Sequence, residues 1–233
     1  MELLITETSQ RHQFLDLICS TWISDYQRKG GKVFCGKGCS GCCSLVVNCT
    51  FPEAVQIIRS LSTEQTQHLR AQIPRLRELA EQSDSLKQWL AGNRRQIGSC
   101  PFLESNGSCG IYSVRPLSCR SLLSTREPEW CSTDFSSLDD QSRQTFMAHL
   151  DRAAVAFPTH YAATPQEMGQ ELEQATLKQM ETVYGCSLLG SLPWLVWLEL
   201  EHSISNQLHN GPAALRRLLD SNRLLHPFLA VLL

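Results

Sequence analysis

Residues 34–43 read FCGKGCSGCC, and residues 100–120 read CPFLESNGSCGIYSVRPLSCR. The first stretch spaces Cys35, Cys39, Cys42 and Cys43 as C-x3-C-x2-C-C. The second holds Cys100, Cys109 and Cys119, and Cys131 follows twelve residues later as an eighth thiol. Thiols set two or three residues apart can turn inward on one tight loop, which is how proteins grip zinc or iron–sulfur clusters. Gly36, Gly38 and Gly41 let the backbone curl around sulfur. A metal centre is therefore expected, with all eight cysteines as its ligands.

Cys42 and Cys43 constrain the kind of centre. Adjacent side chains in an extended loop point to opposite faces, so one tetrahedral ion is not expected to take both. Either each serves a different metal or a multinuclear cluster bridges them. Eight thiolates suit two four-cysteine zinc sites, or one [4Fe–4S] cluster with four further thiols in another role. A four-thiolate site carries about −2 charge, which Lys32, Lys37, Arg115 and Arg120, all nearby in sequence, are placed to offset. The adjacent pair and the spare thiols favour the iron–sulfur cluster; zinc is the alternative.

The competing explanation is that the cysteines are buried apolar residues or disulfides. Two dense runs on Gly- and Ser-rich loops make poor core, so this explanation is kept only for the outlying thiols. Cys19 and Cys186 are isolated and read as packed. Cys49 reads as packed too, with a reserve-ligand role as its alternative.

The composition bounds the rest. With 233 residues, 42% of them hydrophobic, the chain can bury a core without disulfide staples. Its start, MELLITETSQRHQF, lacks a basic region followed by an apolar run and does not read as a signal peptide. Reduced thiols and a cytoplasmic location are expected. The net charge of −2 and the dispersed Lys and Arg argue against a nucleic-acid binder. The C-terminal LLHPFLAVLL, residues 224–233, is too short to span a membrane. It reads as a core-packing tail, with contact to an unknown protein partner as the alternative.

Outside the cysteine loops the pattern is helical. Residues from about Arg11 to Arg28 carry Phe14, Leu15, Leu17, Ile18 and Trp22 and stop at Gly30-Gly31. Thr50-Phe-Pro-Glu53 and Ser62-x-x-Gln65 are capping boxes that open helices between the two cysteine runs, the second with Pro74 inside it. Gly98 to Cys131 should be loop, with at most short strands around Ile111-Tyr112. Phe146, Met147, Leu150, Ala154 and Phe157 recur at helical spacing. Thr164-x-x-Glu167 is a further capping box, and Pro193 and Pro212 open the last helices, with Leu225 and Phe228 extending the final apolar face. The expected fold is mainly α, a helical bundle with an irregular cysteine-rich metal-binding lobe. Residues 1–134 would form the cysteine-cluster region, with a helical insert at about 50–97, and 135–233 a helical region packed on it as one compact unit.

Other motifs are weak. Gly36-Lys-Gly38-Cys-Ser-Gly41 spells G-x-G-x-x-G, but no hydrophobic strand precedes it, so a dinucleotide site is rejected. His202 and His209 read as a solvated face. No residue is assigned a catalytic role.

The two runs resemble the zinc- or iron-chelating cysteine-cluster family, YkgJ-type or CxxCxxCC proteins. The likeness rests on Cys35, Cys39, Cys42 and Cys43, then Cys100-Pro-Phe-Leu, Cys109-Gly-Ile-Tyr112 and Arg115-Pro-Leu-Ser-Cys119-Arg120, with Cys131 carried over as the last cysteine. It spans roughly residues 33–131. The first gap is three residues where the family's name implies two. The resemblance implies an iron–sulfur protein in redox or protein-modification chemistry. Its cysteine cluster is shared with the flagellin lysine N-methylase, which adds a methylase-like enzyme beside a zinc-stabilised protein-interaction module as alternatives. Arg115-Pro116 and Tyr112 read as a rigid turn with Tyr112 packed beneath it; the competing role is a guanidinium facing cluster sulfur or an anionic substrate.

Overall fold

A computed structural model describes residues 1–36 and 38–233; Lys37 lies outside the described residues. The chain is mainly α. Its first helix, α1 (Glu2–Arg28), begins nine residues before the apolar spacing suggested. The buried stripe of α1 is Leu4, Ile5, Thr8, His12, Leu15 and Cys19, a helical repeat interrupted by two polar residues. Phe14 and Leu17, read as part of the apolar face, point to solvent at 46% and 62% exposure. Thr8 tolerates burial because its Oγ1 donates to the Leu4 carbonyl at 2.7 Å, and His12 because its Nε2 meets a carboxylate at 3.0 Å, although its buried Nδ1 has no partner.

After the first cysteine run come β1 (Asn48–Thr50), α2 (Phe51–Ile58), α3 (Thr63–Glu81), α4 (Leu86–Gly92) and a π-helical turn over Asn93–Ile97. Both capping boxes between the runs form as the sequence predicts. The second run carries a short 3₁₀ turn at Tyr112–Val114, where a loop with at most short strands was expected. Two brief helices follow, α5 (Leu117–Arg120) and α6 (Pro128–Ser132).

The second half holds α7 (Asp140–Ala148), α8 (Ala163–Tyr184), β2 (Leu188–Ser191), α9 (Leu192–His202), α10 (Ile204–Gln207), α11 (Pro212–Ser221) and β3 (Ala230–Leu232). Three expectations change here. The helical spacing through Phe157 breaks at Ala148, and residues 149–162 form turns whose Leu150 and Val155 join Phe146 in a small buried cluster. The box at Thr164 is not made, because α8 starts two residues earlier with Ala162 as its unbonded N-cap. The C-terminal segment is a strand, not an extension of α11. Arg223 turns the chain at φ +53, and β3 joins a three-stranded antiparallel sheet in the order β1-β2-β3.

The main core gathers α2, α3, α9 and α11 around Trp89 and Trp194, and half-buried Cys100, Cys109 and Cys119 rest on its edge. A smaller core joins Leu15 and Cys19 of α1, Leu117 and Leu123, and Met168 and Leu172 of α8. Among the described residues no helix is long and apolar enough to cross a membrane.

One buried carboxylate ties these parts together. Glu53 is 1% exposed. Its Oε2 accepts from the Thr50 amide at 2.8 Å and hydroxyl at 2.9 Å, and its Oε1 accepts from the Leu117 amide at 2.7 Å and pairs with His12 Nε2 at 3.0 Å. Burial alone would raise its pKa, but the His12 contact and the two backbone amides outweigh it and hold the carboxyl below its ordinary 4.5. A depressed folded-state pKa contributes stability that is present above about 4.5 and is lost as the pH falls through the folded value. Glu53→Gln is expected to lower unfolding stability by about 3 kcal/mol, the scale of lost charge-assisted hydrogen bonds. Urea unfolding at a series of pH values checks this, and the variant should also lose part of the acid-side decline of the parent.

Candidate metal centre

The two cysteine runs, 57 residues apart between Cys43 and Cys100, meet in space. Backbone bonds stitch them: the Cys100 amide donates to the Cys43 carbonyl at 2.8 Å, and the Phe34 amide to Ser124 at 3.0 Å. Cys35, Cys39, Cys42, Cys43, Cys100, Cys109 and Cys119 all line one cavity of about 470 Å³. Gly38 takes φ +84, a left-handed turn that favours glycine. Gly41 serves close approach instead: a Cβ there would stand 2.5 Å from the Pro128 carbonyl and 3.1 Å from Cys131 Cβ.

Cys131, on α6, sits behind that turn. It opens into a neighbouring aromatic pocket of about 330 Å³ with Trp130, Phe146, His160 and Tyr161. Two sets of electrostatic neighbours result. Cys35 and Cys131 both feel Cys39 and Cys42, whereas Cys100, Cys109 and Cys119 feel Cys42, and Cys119 also feels the other two.

The adjacent pair differs from its expected form. Gly41–Ser44 is a 3₁₀ turn, not an extended loop, and the neighbouring Cys43 thiol, first among the causes, pushes the Cys42 thiol up. Side chains one residue apart on such a turn are about 120° apart, so both can face one cavity. Among the described residues no three Cys, His, Asp or Glu side chains stand in the arrangement of a closed metal site. The thiols converge on a common space without being drawn to ligand distance.

The donor chemistry fits a soft, thiophilic group. Cys100 is pushed up to about 12 by desolvation first and then by Cys109 and Cys42, and Cys109 and Cys119 are raised by the same kind of crowding. Neutral thiols at pH 7 must lose protons to become ligands, so the wall awaits a cation.

Of the basic residues expected to offset the charge, Arg115 faces the thiols and lowers the pKa of Cys42, Cys109 and Cys119. Its guanidinium lies 4.2 Å over the Tyr112 ring, and its buried Nε has no partner. Tyr112 is 56% exposed, so it forms a platform for Arg115 and is not packed beneath the turn. Arg120 is tied up elsewhere, pairing with Asp16 at 2.5 Å and donating to the Arg115 and Ser113 carbonyls. Lys32 stacks over Phe34 at 4.4 Å.

The outlying cysteines separate. Cys186 and Cys49 are core residues, Cys49 within β1. Cys19 is buried as well, yet it lines the thiol cavity from α1, its Sγ donating to the Arg120 carbonyl at 3.7 Å. Its neighbours in the chain show no ligand spacing, so only the packing of α1 reveals it. His202 and His209 do not share a helix, because the chain turns left-handed at Ser203, φ +47.

Residues 34–143, just under half of the chain, match the CxxCxxCC family model, described as a "putative zinc- or iron-chelating domain". The matched family is the one that the cysteine pattern resembles. No curated protein and no solved structure is significantly similar to it. Metal binding is the activity the family supports.

Two outcomes are expected. Adding zinc to metal-free chain at pH 7 should release roughly one proton per ligating thiol, and affinity should fall as the pH is lowered; calorimetry in buffers of different ionisation enthalpy counts the protons. Gly41→Ala should cost about 1–3 kcal/mol by overpacking and reduce metal retention, read by thermal unfolding and elemental analysis.

Proposed function

We propose that the chain is a cytoplasmic iron–sulfur protein serving redox or protein-modification chemistry. Its ligands in this reading are Cys35, Cys39, Cys42, Cys43, Cys100, Cys109, Cys119 and Cys131. The observation that carries it is the 3₁₀ turn that presents Cys42 and Cys43 to one cavity with six other thiols, five of them from the two cysteine runs. That is more sulfur than one tetrahedral ion accepts, and it suits a multinuclear group. A bound [4Fe–4S] cluster would supply one-electron transfer at this wall. Arg115 would balance the charge of the thiolates, and the core beneath Cys100, Cys109 and Cys119 would keep water from one side. The cytoplasmic location is favoured by the cysteines, all eleven of them unpaired.

The helical remainder, 135–233, serves in this reading as a frame for 1–134 and not as a separate module. Its support is the packing of α8 on α1 and α5 and the cores shared between the two parts.

The division of thiols into two neighbour sets, with the Cys42–Cys43 pair between them, favours a second reading of two four-thiolate zinc sites in an interaction module. Metal and acid-labile sulfide analysis of protein purified without oxygen separates the two. Iron with matching sulfide and broad absorption near 400 nm, as is general for thiolate-bound clusters, is expected; one or two zinc ions with no sulfide would replace it by the second reading. Cys39→Ser and Cys42→Ser should each lose metal and destabilise the first cysteine loop, while Cys186→Ser keeps the parent's metal content. Full metal in both ligand variants would overturn the assignment.

A further inference from the structure

The segment 155–162 lies beyond the matched domain, yet it is woven into the thiol region. Ser124 and Tyr161 form a β-bridge, the Thr125 amide donates to the His160 carbonyl at 3.0 Å, and the Ala162 amide to Leu123 at 2.9 Å. The same short stretch reaches the first run, where the Ser124 amide donates to Cys35 Sγ at 3.1 Å. The bridge therefore fixes His160 and Tyr161 against the thiols by backbone bonds, independent of their side chains.

Those side chains converge on one sulfur. His160 Nε2 stands 3.4 Å from Cys131 Sγ, and Tyr161 lines the same pocket as an electrostatic neighbour of that thiol. His160 is 3% exposed, and Phe146 meets its ring edge-on at a centroid distance of 5.7 Å. Few water molecules can compete in such a place, so each hydrogen bond to sulfur counts for more than it would in water.

We infer that His160 and Tyr161, from outside the cysteine-cluster domain, are positioning residues of the metal centre that hold the Cys131 thiolate by hydrogen bonds. A lone buried thiol needs one acceptor at most, whereas a metal-bound thiolate has no proton and can only accept. An imidazole nitrogen 3.4 Å from the sulfur, with Tyr161 beside it in the same pocket, fits the second state. With metal bound, the bond across the 3.4 Å gap runs from Nε2–H to sulfur, which fixes the imidazole tautomer. The inference rests on Cys131 being a metal ligand. It adds that the domain needs the segment 155–162 to hold its metal at full strength.

The test uses the full chain purified without oxygen, with its own metal in place. Cys131→Ser, His160→Ala, His160→Gln and Tyr161→Phe are compared with the parent for metal content, for release to a chelator and for the sulfur-to-metal absorption band. His160→Ala and Tyr161→Phe are expected to hold metal about 10- to 100-fold less tightly, the usual cost of losing an outer partner of a ligand. The absorption band should shift in His160→Ala and return in His160→Gln, whose amide N–H still reaches sulfur. Parent-like retention in His160→Ala and Tyr161→Phe, beside clear loss in Cys131→Ser, would overturn the inference and leave Cys131 a ligand. Equal loss in His160→Ala and His160→Gln would reduce His160 to a packing role and overturn it likewise. Parent-like retention in Cys131→Ser would remove the ligand assignment and the inference together. Should His160→Ala fail to fold, parent-like retention in both His160→Gln and Tyr161→Phe would refute it.

Discussion

The carboxylate of Glu53 is the constraint on which the rest of the structure depends. An ionised group with 1% exposure is tolerable only if its lone pairs are answered, and here four donors answer them. Those donors come from α1, from the β1–α2 junction and from the start of α5. One side chain therefore sets the distance between the long first helix, the insert that separates the cysteine runs and the turn that leads into Cys119. Its role as a capping residue is local; its role as a junction is global.

The thiol wall is built against this frame, and it is chemically unfinished as a set of neutral groups. Crowding and burial favour protonated sulfur, while a metal centre requires thiolate. The opposing forces are arranged around the same cavity. Arg115, held flat by Tyr112, brings positive charge to the thiols, and the capture of Arg120 by Asp16 and two carbonyls shapes the loop that carries Arg115. Two arginines five residues apart thus divide the work, one electrostatic and one structural.

The region beyond the matched domain is more than a support. α8 packs on α1 and α5, and the turns before it lean on the loop around Ser124. The aromatic cluster of Trp130, Phe135 and Phe146 then encloses Cys131 and His160 on the side away from the main thiol cavity. The cysteines are consequently reached from two sides, one lined by sulfur and one by rings.

Much of this was legible in the residues themselves. The cysteine spacing, the two capping boxes and the prevalence of 3.6-residue periodicity depend on neighbours a few positions apart, and local geometry decides them. The sequence determined that the chain is mainly α and that its two runs have metal-ligand spacing. It did not disclose that α1 buries His12 and Thr8 in place of Phe14 and Leu17, because His12 is answered by Glu53, 41 residues away, and the face of α1 that turns inward is set by such distant contacts. It did not disclose β3, since a strand of three residues is stabilised by its pairing with β2 and not by its own pattern. The same reason hid Cys19, the exposed Tyr112 platform and His160. Each owes its place to contacts between elements distant along the chain, and those only the tertiary structure decided.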